Sequence, residues 1–197
     1  MSLCMRALCA FGALCGAGTL SATEVALCTD SGRAVLELAD EAAPQNVANF
    51  QRYVAMGYYW GTVFHRVQPG LFVQGGGVDR ELRVRSTLPP VPNESDNGLH
   101  NTRGTVAAAR TDDPDSARSQ FFVNLDDNTQ ELEGGRGPGY TVFAHVTEGL
   151  DVFEAIGRLP TGAAGPFRAD VPMPLVAIKS IARLDAAALA ALPAEGR

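Results

Sequence analysis

The chain has 197 residues, 46% hydrophobic and 19% charged, the balance of one globular domain and not of a disordered, collagen-like or fibrous chain. Its net charge of −6 and pI near 5.0 remove electrostatic support for a nucleic-acid or anionic-membrane partner. The 21 glycines and 12 prolines fall between hydrophobic runs as turn punctuation, which suits a β-rich fold.

Residues 1–22, MSLCMRALCAFGALCGAGTLSA, stand apart: Arg6 precedes an uninterrupted small and apolar run from Ala7 to Leu20. That run is short of the roughly 20 residues a membrane-spanning helix needs. It reads as a secretory leader, cut before Thr23 after the small residues Ser21 and Ala22. The expected organisation is a leader over 1–22, a folded domain over 23–185 and an Ala-rich tail over 186–197, with no membrane contact in the mature form. Cys4, Cys9 and Cys15 would leave with the leader. Cys28, within the apolar run VALC, reads as a buried structural thiol with no disulfide partner.

From Glu24 the pattern is that of a hairpin, EVALCTD and RAVLELA parted by Ser31-Gly32. PQNVANFQRYVAMGYY then changes period: Val47, Phe50 and Val54 share a helical face, Pro44 suits the first helical position and Gly57 the end. TVFHRV and LFVQGG are short strands separated by Pro69-Gly70, and Gly77 to Asn101 is a long polar excursion of the functional or mobile kind. GTVAAAR, QFFVNL and YTVFAHV each have strand length, LDVFEAIGRL repeats apolar residues as a second helix, and PLVAIKSIARL alternates as a closing strand. About eight strands with two helices exclude a doubly wound α/β fold. They predict an all-β domain, a closed or nearly closed antiparallel barrel covered by helices.

Several chemistries fail on spacing. His65, His100 and His145 match no zinc pattern, and the Asp112, Asp113, Asp115 loop lacks the glycine and terminal glutamate of a calcium loop. Ser119 has no G-x-S-x-G elbow, so a hydrolase built from Ser119, His65 and an aspartate has little support. GGRGPG at 134–139 lacks the Lys-Ser/Thr of a phosphate loop, and Arg80, Arg83 and Arg85 read as a solvated loop. Arg66, flanked by Val63, Phe64 and Val67, has two readings: a charge facing solvent by simple alternation, the commoner case, or one aimed into a concave apolar site. Gln74 and Gln120, beside GGG and Phe121-Phe122, pose the same choice.

The segment FHRVQPGLFVQGGG at 64–77 resembles the central motif of the cyclophilin family of peptidyl-prolyl cis/trans isomerases. Asn93 to Leu125 and Gly139 to Val152 resemble the family's later blocks, in the right order, and the likeness spans Glu24 to about Leu184. Its details resemble the secreted bacterial branch, which with the leader implies a periplasmic destination. The resemblance implies an eight-stranded antiparallel closed barrel with two covering α-helices, and the expected partners of the domain, read as a monomer, are proline-containing segments of client proteins.

Such a reaction needs no nucleophile, metal or cofactor. The barrier to rotating an X-Pro bond, about 18–20 kcal/mol, is amide resonance, and a catalyst has only to favour the twisted state. By resemblance Arg66 donates to the prolyl nitrogen, Gln74 orients it, and Leu71, Phe72, Phe122 and Leu132 form the proline slot with Phe122 as floor. Ala109, Arg110 and Gln120 would line the groove for the residues before proline, with His65 and Tyr140 at its border. The sequence departs from the family in Leu71 where Phe is usual, Phe72 beside it, Ala108 where Met is frequent, and Glu131 where an aromatic often stands. These departures argue against cyclosporin binding. They also leave open an alternative, a proline-peptide binding module or holdase with little turnover.

Overall fold

The computed structural model describes residues 22–133 and 137–184; the expected leader, all but its last residue, and the Ala-rich tail lie outside them. In chain order the elements are β1 (Glu24–Thr29), β2 (Arg33–Leu38), α1 (Pro44–Ala55), β3 (Val63–Phe64), β4 (Arg66–Gln68), β5 (Phe72–Gly75), β6 (Thr105–Ala108), β7 (Phe121–Asn124), α2 (Thr129–Glu133), β8 (Val142–Glu148), α3 (Leu150–Gly157), β9 (Thr161–Ala164), β10 (Phe167–Pro172) and β11 (Val176–Leu184). A 3-10 turn spans Pro114–Ser116.

The main sheet runs β3-β11-β1-β2-β8-β6-β7-β5-β4, every pair antiparallel. Its two outermost strands, β3 and β4, are separated only by His65. They are therefore one extended run that pairs with β11 through its first half and β5 through its second, and the sheet closes on itself as an eight-stranded barrel. Among the described residues, closure leaves the main sheet no free edge for another chain to pair with.

One core fills this barrel. Leu27, Leu36, Phe64, Val67, Val73, Val106, Phe121 and Val123 point inward, and α1 and α3 bury Val47, Phe50 and Tyr53, and Phe153 and Ile156, against the same cluster. Phe50 meets Phe121 edge-on at 5.9 Å and Phe153 meets Phe64 at 5.9 Å, so each helix is keyed to the barrel by an aromatic pair. The two helices fall where periodicity puts them. Pro44 opens α1, but Ala43 supplies no side-chain cap; the Glu94 carboxylate, from the long loop, accepts from the Gln45 and Asn46 amides at 3.1 and 2.9 Å. An anion at a helix N-terminus satisfies orphan N–H groups and the helix dipole together. The excursion from Gly77 to Asn101 is thus a fastened strap. It is held further by bridges from Val78 to Val84 and Val91 to Ala117.

Two elements have no counterpart in the sequence pattern. The short helix α2 and the hairpin β9–β10 lie in polar or Gly-rich sequence that carries neither helical nor strand periodicity. The hairpin is held by a second apolar cluster outside the barrel, Val63, Val78, Leu82, Val171 and Ala177, with Phe167 against it.

Gly149, before α3, has φ of +76°, and a Cβ there would meet the Arg33 carbonyl oxygen and the Ala34 Cα. Gly149→Ala combines a left-handed backbone with a backbone clash. It is expected to cost about 2 kcal/mol or more in a urea titration; a loss within about 0.5 kcal/mol, the range of ordinary surface substitutions, would contradict this packing.

Candidate active site

Strand alternation sends Val67, Val73, Phe121 and Val123 into the barrel and leaves Phe72, Gln74, Ala107 and Phe122 on its outer face. There Phe72, Ala107, Phe122 and Val142 form a separate apolar cluster, with Leu71, Ala109, Leu132 and Tyr140 against it. Phe72 lies 5.1 Å from Phe122, and Tyr140 stands edge-on to Phe122 at 5.4 Å. Together with Arg66, Gln74, Ala109, Arg110 and Leu132 these three rings surround a hollow of about 80 Å³.

Arg66 reaches this face through a break in alternation. His65 N–H donates to the Gln74 carbonyl at 3.0 Å, while Arg66 is the residue paired with Gln74. Two residues thus oppose one, which is a β-bulge, and both side chains leave the barrel between inward-facing Phe64 and Val67. The Arg66 guanidinium carbon sits 5.1 Å from the Phe72 ring centre, a favourable place for a cation. Its Nη1 makes a long 3.4 Å hydrogen bond to Gln74 Oε1, and Gln74 Nε2 donates to Gln120 Oε1 at 2.9 Å. The side chain is 47% exposed, so of the two sequence readings the concave apolar site holds, but the cation is not withdrawn from water.

Arg110 is a strut. Its guanidinium donates to the Pro138 carbonyl at 2.6 Å, Gly139 at 3.2 Å and Thr111 at 2.8 Å and stacks 4.7 Å from Tyr140. It therefore holds the wall that carries Tyr140. Leu132 arrives on α2, which the Asp127 carboxylate caps at Thr129 N–H, 3.1 Å, and which Asn128 ties to the Leu71 carbonyl at 2.8 Å. Glu133 closes the same element by accepting from His100 at 2.8 Å and from the Asn101 side-chain amide at 2.9 Å. Burial raises the Glu133 carboxyl, but the His100 and Asn101 hydrogen bonds outweigh it and leave the group below the usual range.

Three expected site residues fall elsewhere. His65 does not border the hollow: it is 4% exposed beneath the β9–β10 hairpin, 5.3 Å from Phe167, because the bulge sends it away from Phe72. Leu71 stands at the edge of the apolar cluster, and Phe72, one residue on, supplies the wall, since neighbouring strand residues face opposite ways. Gln120 lies behind Gln74 and fills the space over Gly77, where its side chain takes the place of a Cβ. It lines a crevice with Ala108 and Phe121, not the hollow itself. The Ala109 N–H is already taken by the Gln120 carbonyl at 3.0 Å, so an extended peptide could use only other backbone groups of that segment. Ser119 is buried, and its hydroxyl donates to the Tyr58 hydroxyl at 3.2 Å. The residue that sequence reasoning missed is Asp170, whose carboxylate lies 3.8 Å from Arg66 Nε; nothing in TGAAGPFRADVP marks it.

A larger depression of about 920 Å³ lies where Leu38, Ala42, Leu99 and Ala144 meet. Of its titratable groups, Glu37 lies 3.9 Å from His145, His100 pairs with Glu133 and Asp40 accepts from the Thr23 N–H, while Glu41 and Arg183 also line it. The smaller hollow, with a cation over an aromatic wall, is the better candidate despite its size.

The model of the family described as cyclophilin type peptidyl-prolyl cis-trans isomerase/CLD matches residues 24–182. Peptidyl-prolyl cis-trans isomerase A of Dickeya dadantii is 46% identical over 160 residues, 81% of this chain and 84% of its own. Peptidyl-prolyl cis-trans isomerase B of Escherichia coli is 44% identical over 156 residues, 78% and 94% of the two chains. In fold, the chain superposes on a cyclophilin type isomerase of Cryptosporidium parvum with TM-score 0.67 at 23% identity, covering 84% of this chain and 99% of that one.

Burial is the main cause that pushes the His65 imidazole down to about 4, and the Arg66 charge acts in the same direction. The unfolded chain takes up this proton near 6.5 and the folded one only near 4. Stability is therefore intact above pH 6.5 and falls progressively towards pH 4, by about 3 kcal/mol in all. His65→Phe, which keeps a ring against Phe167, is expected to flatten that part of the pH–stability curve relative to wild type; parallel curves would show that His65 is not the group responsible.

Proposed function

This chain belongs to the cyclophilin type family and is a peptidyl-prolyl cis/trans isomerase, and we propose that it works by aiming the Arg66 guanidinium at the nitrogen of a proline seated on Phe122. The observation that carries this reading is one juxtaposition: a cation 5.1 Å from the Phe72 ring at the rim of an apolar hollow floored by Phe122. Phe72, Leu132 and Tyr140 enclose the pyrrolidine ring, and Gln74 sets the height of the guanidinium.

As the X-Pro bond twists, its nitrogen recovers a localised lone pair, and a donor fixed there stabilises the twisted state more than either planar form. Arg suits this better than Lys because its fork is rigid and always charged. The cation is half solvated, so a bound peptide itself supplies the dry surroundings that strengthen the contact. A bare isomerisation takes roughly 10–100 s; about 7 kcal/mol less barrier brings it below a millisecond.

The partners proposed are exposed X-Pro segments of unfolded or flexible proteins, bound by a monomer, and Glu131 in place of an aromatic argues against cyclosporin. We further propose a periplasmic destination after cleavage before Thr23. Supporting it, Arg6 precedes the apolar run, and Thr23, whose N–H donates to Asp40 at 3.1 Å, leads directly into β1.

In a protease-coupled assay on an Ala-X-Pro-Phe type peptide, Arg66→Ala is expected to lower kcat/KM by about 10²–10³-fold, the usual loss of one transition-state donor, without a drop in thermal stability, since the side chain is half exposed. Wild-type turnover in Arg66→Ala would overturn the reading. Mass spectrometry of the protein recovered from a periplasmic extract is expected to give a chain starting at Thr23; a chain starting at Met1 would overturn the proposed cleavage.

A further inference from the structure

The β9–β10 hairpin is not a neutral cover. Its register pairs Phe167 with Ala164 and then Val171 with Gly162, so residues 168–170 bulge out of the ladder. Within the bulge Asp170 has a left-handed backbone, φ +67°, uncommon outside glycine though tolerated by aspartate. The segment is pinned on both sides, by Phe167 against His65 at 5.3 Å and by Val171, fully buried in the outer cluster. The product of this distortion is a carboxylate turned onto β4. Asp170 Oδ2 accepts from Gln68 Nε2 at 2.6 Å and lies 3.8 Å from Arg66 Nε.

The guanidinium is thereby gripped from two directions. Asp170 faces Nε and Gln74 Oε1 accepts from Nη1, while the Phe72 ring lies against its face. Nη2 and the remaining Nη1 proton are left to meet a ligand in the hollow. We propose that Asp170 is a positioning residue for the isomerisation, holding the orientation of Arg66 through its Nε edge while Gln68 holds the carboxylate. This rests on the reading of Arg66 as the donor. Bulges and left-handed residues beside functional sites commonly re-aim one side chain, and here both act on the same one. A half-exposed arginine has many rotamers, and removing that freedom before the peptide arrives favours the transition state over the merely bound state.

The test is a mutant cycle on the full chain. Asp170→Asn keeps the size, the tolerance for positive φ and an acceptor for Gln68, and removes the charge. It is expected to lower kcat by up to about fivefold, the upper range for a half-exposed ion pair, with KM within about twofold of wild type and an unchanged melting temperature. In an Arg66→Ala background the same change is expected to have no effect on kcat/KM, because the group it acts through is gone. A second readout needs no residual activity: the Arg66 Nε–H cross-peak, identified by its loss in Arg66→Ala, is expected to move in Asp170→Asn and to stay in place in Arg168→Ala, which changes an exposed residue of the same bulge. An unchanged or raised kcat, an equal fold loss in both backgrounds, or an unmoved cross-peak overturns the role of Asp170. Full activity in Arg66→Ala instead overturns the assignment of Arg66 as the donor, a result the first variant reads separately.

Discussion

The extended run from Val63 to Gln68 has to serve two neighbours, and the candidate site follows from how it does so. Its first residues pair with β11 and its last with β5, so this strand closes the barrel. The turn from one partner to the other is made by a bulge in which His65 and Arg66 both face Gln74. Regular alternation would send one of two adjacent side chains into the core, where Phe64 and Val67 already are. The extra residue puts both outside: His65 under the hairpin, Arg66 over Phe72. The desolvated imidazole and the half-exposed cation are two consequences of one backbone irregularity.

Around that cation the protein spends its polar contacts on geometry. Gln120 holds Gln74, Gln74 holds Arg66, Arg110 braces the loop that carries Tyr140, and Asn128 and Asp127 fasten the short helix that presents Leu132. Gln74 and Arg110 line the hollow as well as bracing it, while Phe72, Phe122, Leu132 and Tyr140 supply its apolar walls. A site that only has to favour a twisted amide gains from this division. Its walls need fit, and the Arg66 charge needs direction. The strap from Gly77 to Asn101 belongs to the same plan, since Glu94 caps α1 and Asn93 bonds to the Gly139 carbonyl at 3.0 Å, next to Tyr140.

The departures from the family pattern are absorbed locally. Phe72 stands on the outer face and stacks with Phe122, so the aromatic wall survives although Leu71 has moved out of it. Ala108 points into the barrel core, not into the hollow, so its small size does not enlarge the site. Glu131 is exposed on α2 and leaves the rim beyond Leu132 polar, a surface for which a flat apolar ligand has less use than an extended peptide does.

The amino-acid order by itself determined the class of fold and the identity of most lining residues. Period-two alternation in EVALCTD, RAVLELA and PLVAIKSIARL, and the helical spacing of Val47, Phe50, Phe153 and Ile156, are local signals, and burying one face of each element leaves few arrangements. The family resemblance likewise implied Arg66, Phe72, Gln74, Phe122, Leu132 and Tyr140, which the fold gathers around one hollow. Only the tertiary structure decided the rest. That His65 turns from the site, that Gln120 stands behind Gln74, that Glu94 caps a helix nearly fifty residues earlier, and that Asp170 meets Arg66 all depend on contacts between segments far apart in the chain. A bulge shifts every side chain by one face without changing a residue, and an ion pair across a closed barrel has no period to betray it, so neither leaves a mark in the sequence.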